Sequence, residues 1–164
     1  MGGTLSLRPP AAPATIRVTR PSSQVHPVGM TRHRDSGACL CELAAGAVLV
    51  TCPSCAAQAV VTSDRLVCPA CAHVEPYKRV WCWETSRFVS DLWLTTPCAG
   101  HTLWALNTEH LDLLESYVGA TLREDPHLSS VRRMTVLAKL PAWLKSAKHR
   151  DEVLRGVRRL RSTT

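Results

Sequence analysis

"TCPSCAAQAVVTSDRLVCPAC", residues 51–71, decides how this chain is read. It holds two Cys-x-x-Cys pairs, Cys52/Cys55 and Cys68/Cys71, with twelve residues between them. Each pair places two thiolates on one tight knuckle, so two knuckles offer four sulfurs to one ion. Zn²⁺ takes four such ligands in a tetrahedron, and a closed set of four cysteines is structural, not catalytic. Iron in a rubredoxin-like site would use the same four thiolates. Zinc is the commoner occupant, and Cys52, Cys55, Cys68 and Cys71 are taken here as ligands of one structural Zn²⁺.

Short strands surround the pairs. "AVLVTCPSC" runs into the first knuckle, "AQAVVT" and "RLVCPAC" are β-branched runs, and Ser63-Asp64 carries turn chemistry between them. These residues resemble the zinc ribbon, the rubredoxin-like β-hairpin module with two Cys-x-x-Cys knuckles, over about residues 48–75. The resemblance implies a metal-pinned hairpin and no particular activity. Ribbon knuckles usually carry Gly after the second Cys, where this chain has Ala56 and Ala72. The second half, "TTPCAGHTLWALNTEHLDLLESYV" and "LPAWLKSAKHRDEVLRGVRRLR", is similar to small bacterial zinc-ribbon proteins, a likeness that implies nothing about function.

The chain has 164 residues, room for one ordinary domain or two small ones. Its aromatics are five Trp, two Tyr and one Phe, so the core is built from Leu, Val and Ala with a few Trp anchors. Such a core is thin for the length, and a metal staple is physically useful. No run of apolar residues is long enough to span a membrane. No apolar stretch near the N-terminus suits a secretory signal, so the paired cysteines read as an intracellular metal site and the expected location is cytoplasmic. Eight cysteines in a secreted chain would instead suggest disulfides.

Charge is uneven. Residues 1–38 hold five Arg and one Asp, residues 39–119 carry net −4, and residues 120–164 carry net +7. A basic tail on an acidic body suggests a polyanionic partner, nucleic acid first. The candidate phosphate contacts are Arg132, Arg133, Lys145, Lys148, Arg150, Arg155, Arg158, Arg159 and Arg161. The competing reading is a solvated helix face with a protein as the partner.

Along the chain, residues 1–37 are Pro- and Ser/Thr-rich without apolar periodicity and read as a disordered arm. "MGGTLS" also fits a lipidation pattern, the arm lacks acids up to Asp35 as transit peptides do, and Met30 is an alternative start. Residues 38–80 are assigned to the zinc ribbon, 81–125 to a β-hairpin and amphipathic helix, and 126–164 to a basic helical tail. The hairpin arms are expected at 91–96 and 102–106, joined by 97–101. Asn107 caps a helix whose stripe is Leu111, Leu114, Val118 and Leu122, ending near Glu124. Ser129 can cap a short helix with Val131, Met134 and Leu137, and Pro141 restarts it. A last helix, about 148–161, buries Val153, Leu154, Val157 and Leu160. The fold class is therefore α+β.

Four cysteines remain. Cys98 and His101 have knuckle spacing, and with Cys82 they would form a second, open zinc site of the catalytic kind. The competing reading makes these cysteines small buried hydrophobes and His101 a hydrogen-bonded turn residue. Cys39 and Cys41 either complete a second site or do nothing. His73-Val74-Glu75 with Pro97-Cys98 imitates a zinc-deaminase signature but ends in His101 instead of Cys, and is rejected. No phosphate loop, nucleophile elbow or H-E-x-x-H appears. The expected function is a non-enzymatic, zinc-stabilised nucleic-acid-binding or regulatory protein. The alternatives are a protein-interaction adaptor and an enzyme with the open second zinc. The five Trp, Trp81, Trp83, Trp93, Trp104 and Trp143, could stack on bases, but the alternating or cross-strand positions of Trp81/Trp83 and Trp93/Trp104 favour core packing.

Overall fold

A computed structural model describes residues 31–77, 89, 91–124 and 135–164. The fold is α+β. Strand β1 (Arg32–Arg34) is followed by helix α1 (Leu40–Ala45), then by β2 (Val48–Thr51), β3 (Gln58–Thr62), β4 (Arg65–Val67) and β5 (Val74–Pro76). A hairpin of β6 (Leu94–Cys98) and β7 (His101–Ala105) leads into α2 (Thr108–Gly119) and β8 (Leu122–Glu124). Two short helices, α3 (Val136–Lys139) and α4 (Ala142–Lys145), precede a 3₁₀ turn at Ala147–His149 and the final helix α5 (Arg150–Arg161).

Strands β2 to β5 form an antiparallel meander in the order β2-β3-β4-β5. The turn between β3 and β4 is Ser63-Asp64, with φ of 46° and 63°. Positive φ at both positions suits the right-handed twist of a two-residue hairpin, and short polar side chains tolerate it best. Val48, Val50, Ala59, Val61 and Leu66 point to one face of this sheet and are buried with Leu43, Ala44, Leu92 and Leu106. Helix α1, which sequence periodicity did not foresee, supplies Leu43 and Ala44 to that core.

The second region is a different construction. Leu94, Leu103 and Ala105 of the hairpin pack with Leu111, Leu114 and Val118 of α2 and Val153, Val157 and Leu160 of α5. Gly156 lets α5 lie close on the hairpin: a Cβ there would stand 2.8 Å from Leu103 Cδ2 and 3.8 Å from Cys98 Sγ. The hairpin turn is tighter than expected. Pro97 and Cys98 stay in β6, and only Ala99 and Gly100, with φ of 50° and 76°, make the turn.

Asn107 caps α2 as expected, its Oδ1 accepting from the His110 N–H at 2.9 Å. Its Nδ2 also donates to the Leu43 and Ala47 carbonyls at 3.0 Å each, tying the helix to the first region. The Leu49 N–H donates to the Leu106 carbonyl and the Trp93 N–H to the Leu49 carbonyl, which joins the two regions further.

Two expectations change here. Helix α2 stops at Gly119, and Leu122 leaves its stripe to enter β8. Strand β8 pairs in parallel with β1, Arg32 opposite Leu122 and Arg34 opposite Glu124. Hydrogen bonds from Thr31 to Thr121 and Gly119 at 3.1 Å support the crossing and offer that backbone a partner other than another helical turn. The arm expected up to residue 37 is thus strand at 32–34, where buried His33 shares a 2.8 Å hydrogen bond with Ser116. The helix expected from Ser129 is described only from Thr135, whose hydroxyl accepts from the Ala138 N–H at 3.0 Å. Residues 1–30, Trp81, Cys82, Trp83 and 125–134 lie outside the described residues. Among those described, no helix is long and apolar enough to cross a membrane.

Candidate metal centre

The two knuckles are one motif used twice. In Cys52-Pro53-Ser54-Cys55-Ala56-Ala57 the Cys52 N–H donates to the Ala57 carbonyl at 2.8 Å. In Cys68-Pro69-Ala70-Cys71-Ala72-His73 the Cys68 N–H donates to the His73 carbonyl at 2.9 Å. Each reverses the chain so that both its sulfurs face the same point. Ala56 and Ala72 both take φ of 58°, the left-handed conformation that glycine adopts without a Cβ clash. The alanine departures noted in the sequence therefore leave the knuckle shape intact and load it with strain. The first knuckle joins β2 to β3 and the second joins β4 to β5, so the meander brings both to the same end of the sheet.

The four sulfurs lie within 4.8 Å of one another. Cys52 Sγ and Cys71 Sγ are 3.8 Å apart, and Cys55 Sγ and Cys68 Sγ are 3.6 Å apart. A regular tetrahedron with ligands about 2.3 Å from its centre has edges of about 3.8 Å. The donor set therefore fits one tetrahedral ion that prefers sulfur. Cys52 and Cys68 are buried and Cys55 and Cys71 exposed, so one ligand of each knuckle is anchored in the core and the other faces solvent.

The protonation pattern shows the same crowding. At Cys55 a hydrogen bond from the Ala57 backbone lowers the pKa, but the neighbouring sulfurs, Cys71 first, and burial push it up to about 12. At Cys68 burial acts upward, yet hydrogen bonds from the Cys71 and Ala70 backbone and from the facing sulfurs bring it down to about 7. Without a cation, one sulfur ionises at the expense of another. A divalent cation removes that conflict, because coordination deprotonates the thiols.

Among the described residues this is the one group of three or more potential ligands close enough to hold an ion. Cys98 is buried in the second core, and its thiol is raised by burial and by the Glu152 carboxylate, against the nearby Arg159 and Arg155. His101 is exposed and stacks on Trp143, centroids 4.8 Å apart. Cys82, the third residue of the expected second site, lies outside the described residues. Cys39 and Cys41 are joined to each other by a disulfide, a pairing that spacing alone did not select.

The basic tail divides into two groups. Arg161 bridges Asp112 and Glu115 at 2.7 Å each, Arg159 donates to Thr96 Oγ1 at 3.0 Å, and Arg150 donates to the Ala120 carbonyl at 3.0 Å. Lys145 donates to the Ala138 carbonyl at 2.8 Å. Lys148, Arg155 and Arg158 are exposed and make no side-chain hydrogen bond or ion pair with a described residue. Arg132 and Arg133 lie outside the described residues. Sequence reasoning counted positive charges, but it could not see which ones the fold consumes.

Two buried histidines also escaped the sequence reading. His110 is buried, and burial lowers its pKa to about 4. Its Nδ1 accepts from the Leu106 N–H at 3.3 Å, so the proton sits on Nε2, which has no hydrogen-bond partner among the described residues, and the imidazole stands T-shaped to the Trp104 ring, centroids 5.5 Å apart. Trp93, Trp104 and Trp143 are all half-buried, packed against the two cores as the alternating positions suggested.

No protein-family model, no curated protein and no solved structure matches this chain, so its site is read from its own residues.

Proposed function

We propose that this chain is a non-enzymatic binding protein, stapled by one structural Zn²⁺ at Cys52, Cys55, Cys68 and Cys71, whose basic C-terminal face engages nucleic-acid phosphates. The single observation that carries the staple is the closed set of four mutually adjacent sulfurs. Four protein ligands complete a tetrahedral ion and leave no position for a substrate or an activated water. The bound ion would supply cross-linking of the two knuckles, and these cysteines would hold it.

The nucleic-acid part is supported by the division of the basic residues. Arg155 and Arg158 stand one turn apart on α5, exposed and without an ion pair to an acidic side chain among the described residues, with Lys148 just before the helix. Two exposed guanidinium groups at that spacing repel each other, and a phosphate backbone relieves the repulsion. Such contacts give affinity without sequence choice. Fluorescence anisotropy of labelled single- and double-stranded oligonucleotides, at low and near-physiological salt, tests this directly. The zinc-loaded chain is expected to bind, and the double substitution Arg155→Gln, Arg158→Gln to reduce the salt slope by about two. Absence of binding at low salt would overturn the reading.

A protein-interaction adaptor is the second reading, and one observation favours it. Leu49, Val60, Val67 and Val74 are register partners in one row across all four strands, opposite the face that buries Val48, Val50, Val61 and Leu66; Leu49, at one end, packs against the second core. Exposure rises along the row to 40% at Val67 and 46% at Val74. Loss of a co-purifying protein on Val67→Ser, with no oligonucleotide binding in any variant, would select that reading.

A further inference from the structure

The disulfide between Cys39 and Cys41 encloses a single residue, Leu40. A cross-link stabilises a fold mainly by restricting the unfolded chain, and that restriction grows with the length of the closed loop. A loop this small restrains the unfolded chain less than a longer one would, so stapling is a weak explanation of the bond. Access is open: Cys41 is exposed and Cys39 half-buried. The backbone around the pair is held independently of the S–S bond. The Cys39 N–H donates to the Glu42 carboxylate at 2.9 Å and the Leu43 N–H to the Cys39 carbonyl at 3.3 Å, while the Glu42 N–H also reaches the sulfur itself, Cys39 Sγ, at 3.3 Å. Opening the bond therefore leaves both sulfurs one residue apart on an ordered turn, poised to close again. The remaining described cysteines, the four ligands and Cys98, are all free thiols. A disulfide that is the only one among the described residues, in a chain whose other described cysteines stay reduced, matches catalytic or sensing disulfides better than structural ones.

We propose that Cys39–Cys41 is a thiol–disulfide exchange centre whose co-substrate is a dithiol. One thiolate of the dithiol attacks the exposed Cys41 Sγ, the S–S bond breaks, and Cys39 leaves as a thiolate that accepts the Glu42 N–H. The second thiol of the co-substrate then displaces Cys41 and closes the co-substrate's own disulfide. The co-substrate gives up two electrons and two protons, and Cys39 and Cys41 take them up as two thiols. The reverse sequence passes the oxidising equivalents on.

The test equilibrates the full zinc-loaded chain with reduced and oxidised dithiothreitol in graded ratios, quenches with acid, and reads each cysteine by differential alkylation and peptide mass. The pair is expected to interconvert reversibly while the far-ultraviolet circular dichroism of the folded chain stays constant. With glutathione disulfide, Cys41→Ser is expected to take one glutathione on Cys39, and Cys98→Ser to behave as the parent chain does. A pair that opens only in denaturant, or that fails to re-form when oxidised dithiothreitol is restored, would overturn the proposal. These readouts are independent of oligonucleotide binding.

Discussion

The two halves of this molecule solve the same problem by different chemistry. The β2–β5 meander has strands of three to five residues and buries mostly Val, Ala and Leu, so it gains little apolar burial per residue. It gathers four sulfurs at one end instead. The β6–β7 hairpin has two twelve-residue helices laid on it and a core dominated by Leu and Val. Small strands need a staple, and amphipathic helices do not. That contrast predicts where each half is vulnerable.

Removing the metal should have the largest effect. Structural zinc carries an apparent binding energy of about 10–16 kcal/mol at neutral pH in finger peptides, which rivals the whole stability of a small domain. A chelator, or Cys52→Ser, is expected to abolish amide dispersion for residues 48–76 in heteronuclear NMR spectra. Signals of α2 and α5 are expected to persist, because their buried stripe owes nothing to the ion. Collapse of both sets together would merge the two regions into one cooperative unit.

Acid probes the junction between the halves, where His110 packs on Trp104. Its pKa is about 4 in the fold against an ordinary 6.5, so between those values the unfolded chain binds a proton that the folded chain refuses. Stability is then fully present above about pH 6.5 and falls as pH drops toward 4, by about 3 kcal/mol over that window. Metal loss in acid adds to the effect, so the measurement is a difference. Denaturant unfolding of His110→Gln and of the parent chain is expected to diverge by about 2.4 kcal/mol between pH 7 and pH 4.5.

The smallest effect sharpens the account of the knuckles. Ala56 and Ala72 pay for a left-handed conformation that costs a non-glycine residue about 1–2 kcal/mol. Glycine loses more backbone entropy on folding, which returns about half of that. Ala56→Gly and Ala72→Gly are each expected to raise stability by about 0.5–1 kcal/mol, read as a higher melting temperature of the zinc-loaded chain.

What could be read in advance follows from range. The knuckles, the Ser63-Asp64 turn, the Asn107 cap and the stripe of α5 depend on neighbours in sequence, and spacing reveals such features. The β1–β8 pairing joins residues ninety positions apart, Arg32 with Leu122, and no local signal encodes it. Leu122 looked like one more rung of a helical stripe because periodicity ignores competing partners. The tail's arginines were equivalent as letters and became different only when Asp112, Glu115, Thr96 and Ala120 came within reach. The Cys39–Cys41 bond was one of several pairings that eight cysteines allow.

The close seating of α5 at Gly156 gives the molecule a built-in clock. Cys98 lies beneath that contact, buried, and is the one free thiol among the described residues outside the four-cysteine cluster. A thiol reagent reaches it only while the helix is lifted, so the labelling rate counts lifting events. The same sulfur that forms no part of the metal centre can therefore report, second by second, how often the C-terminal helix lets go.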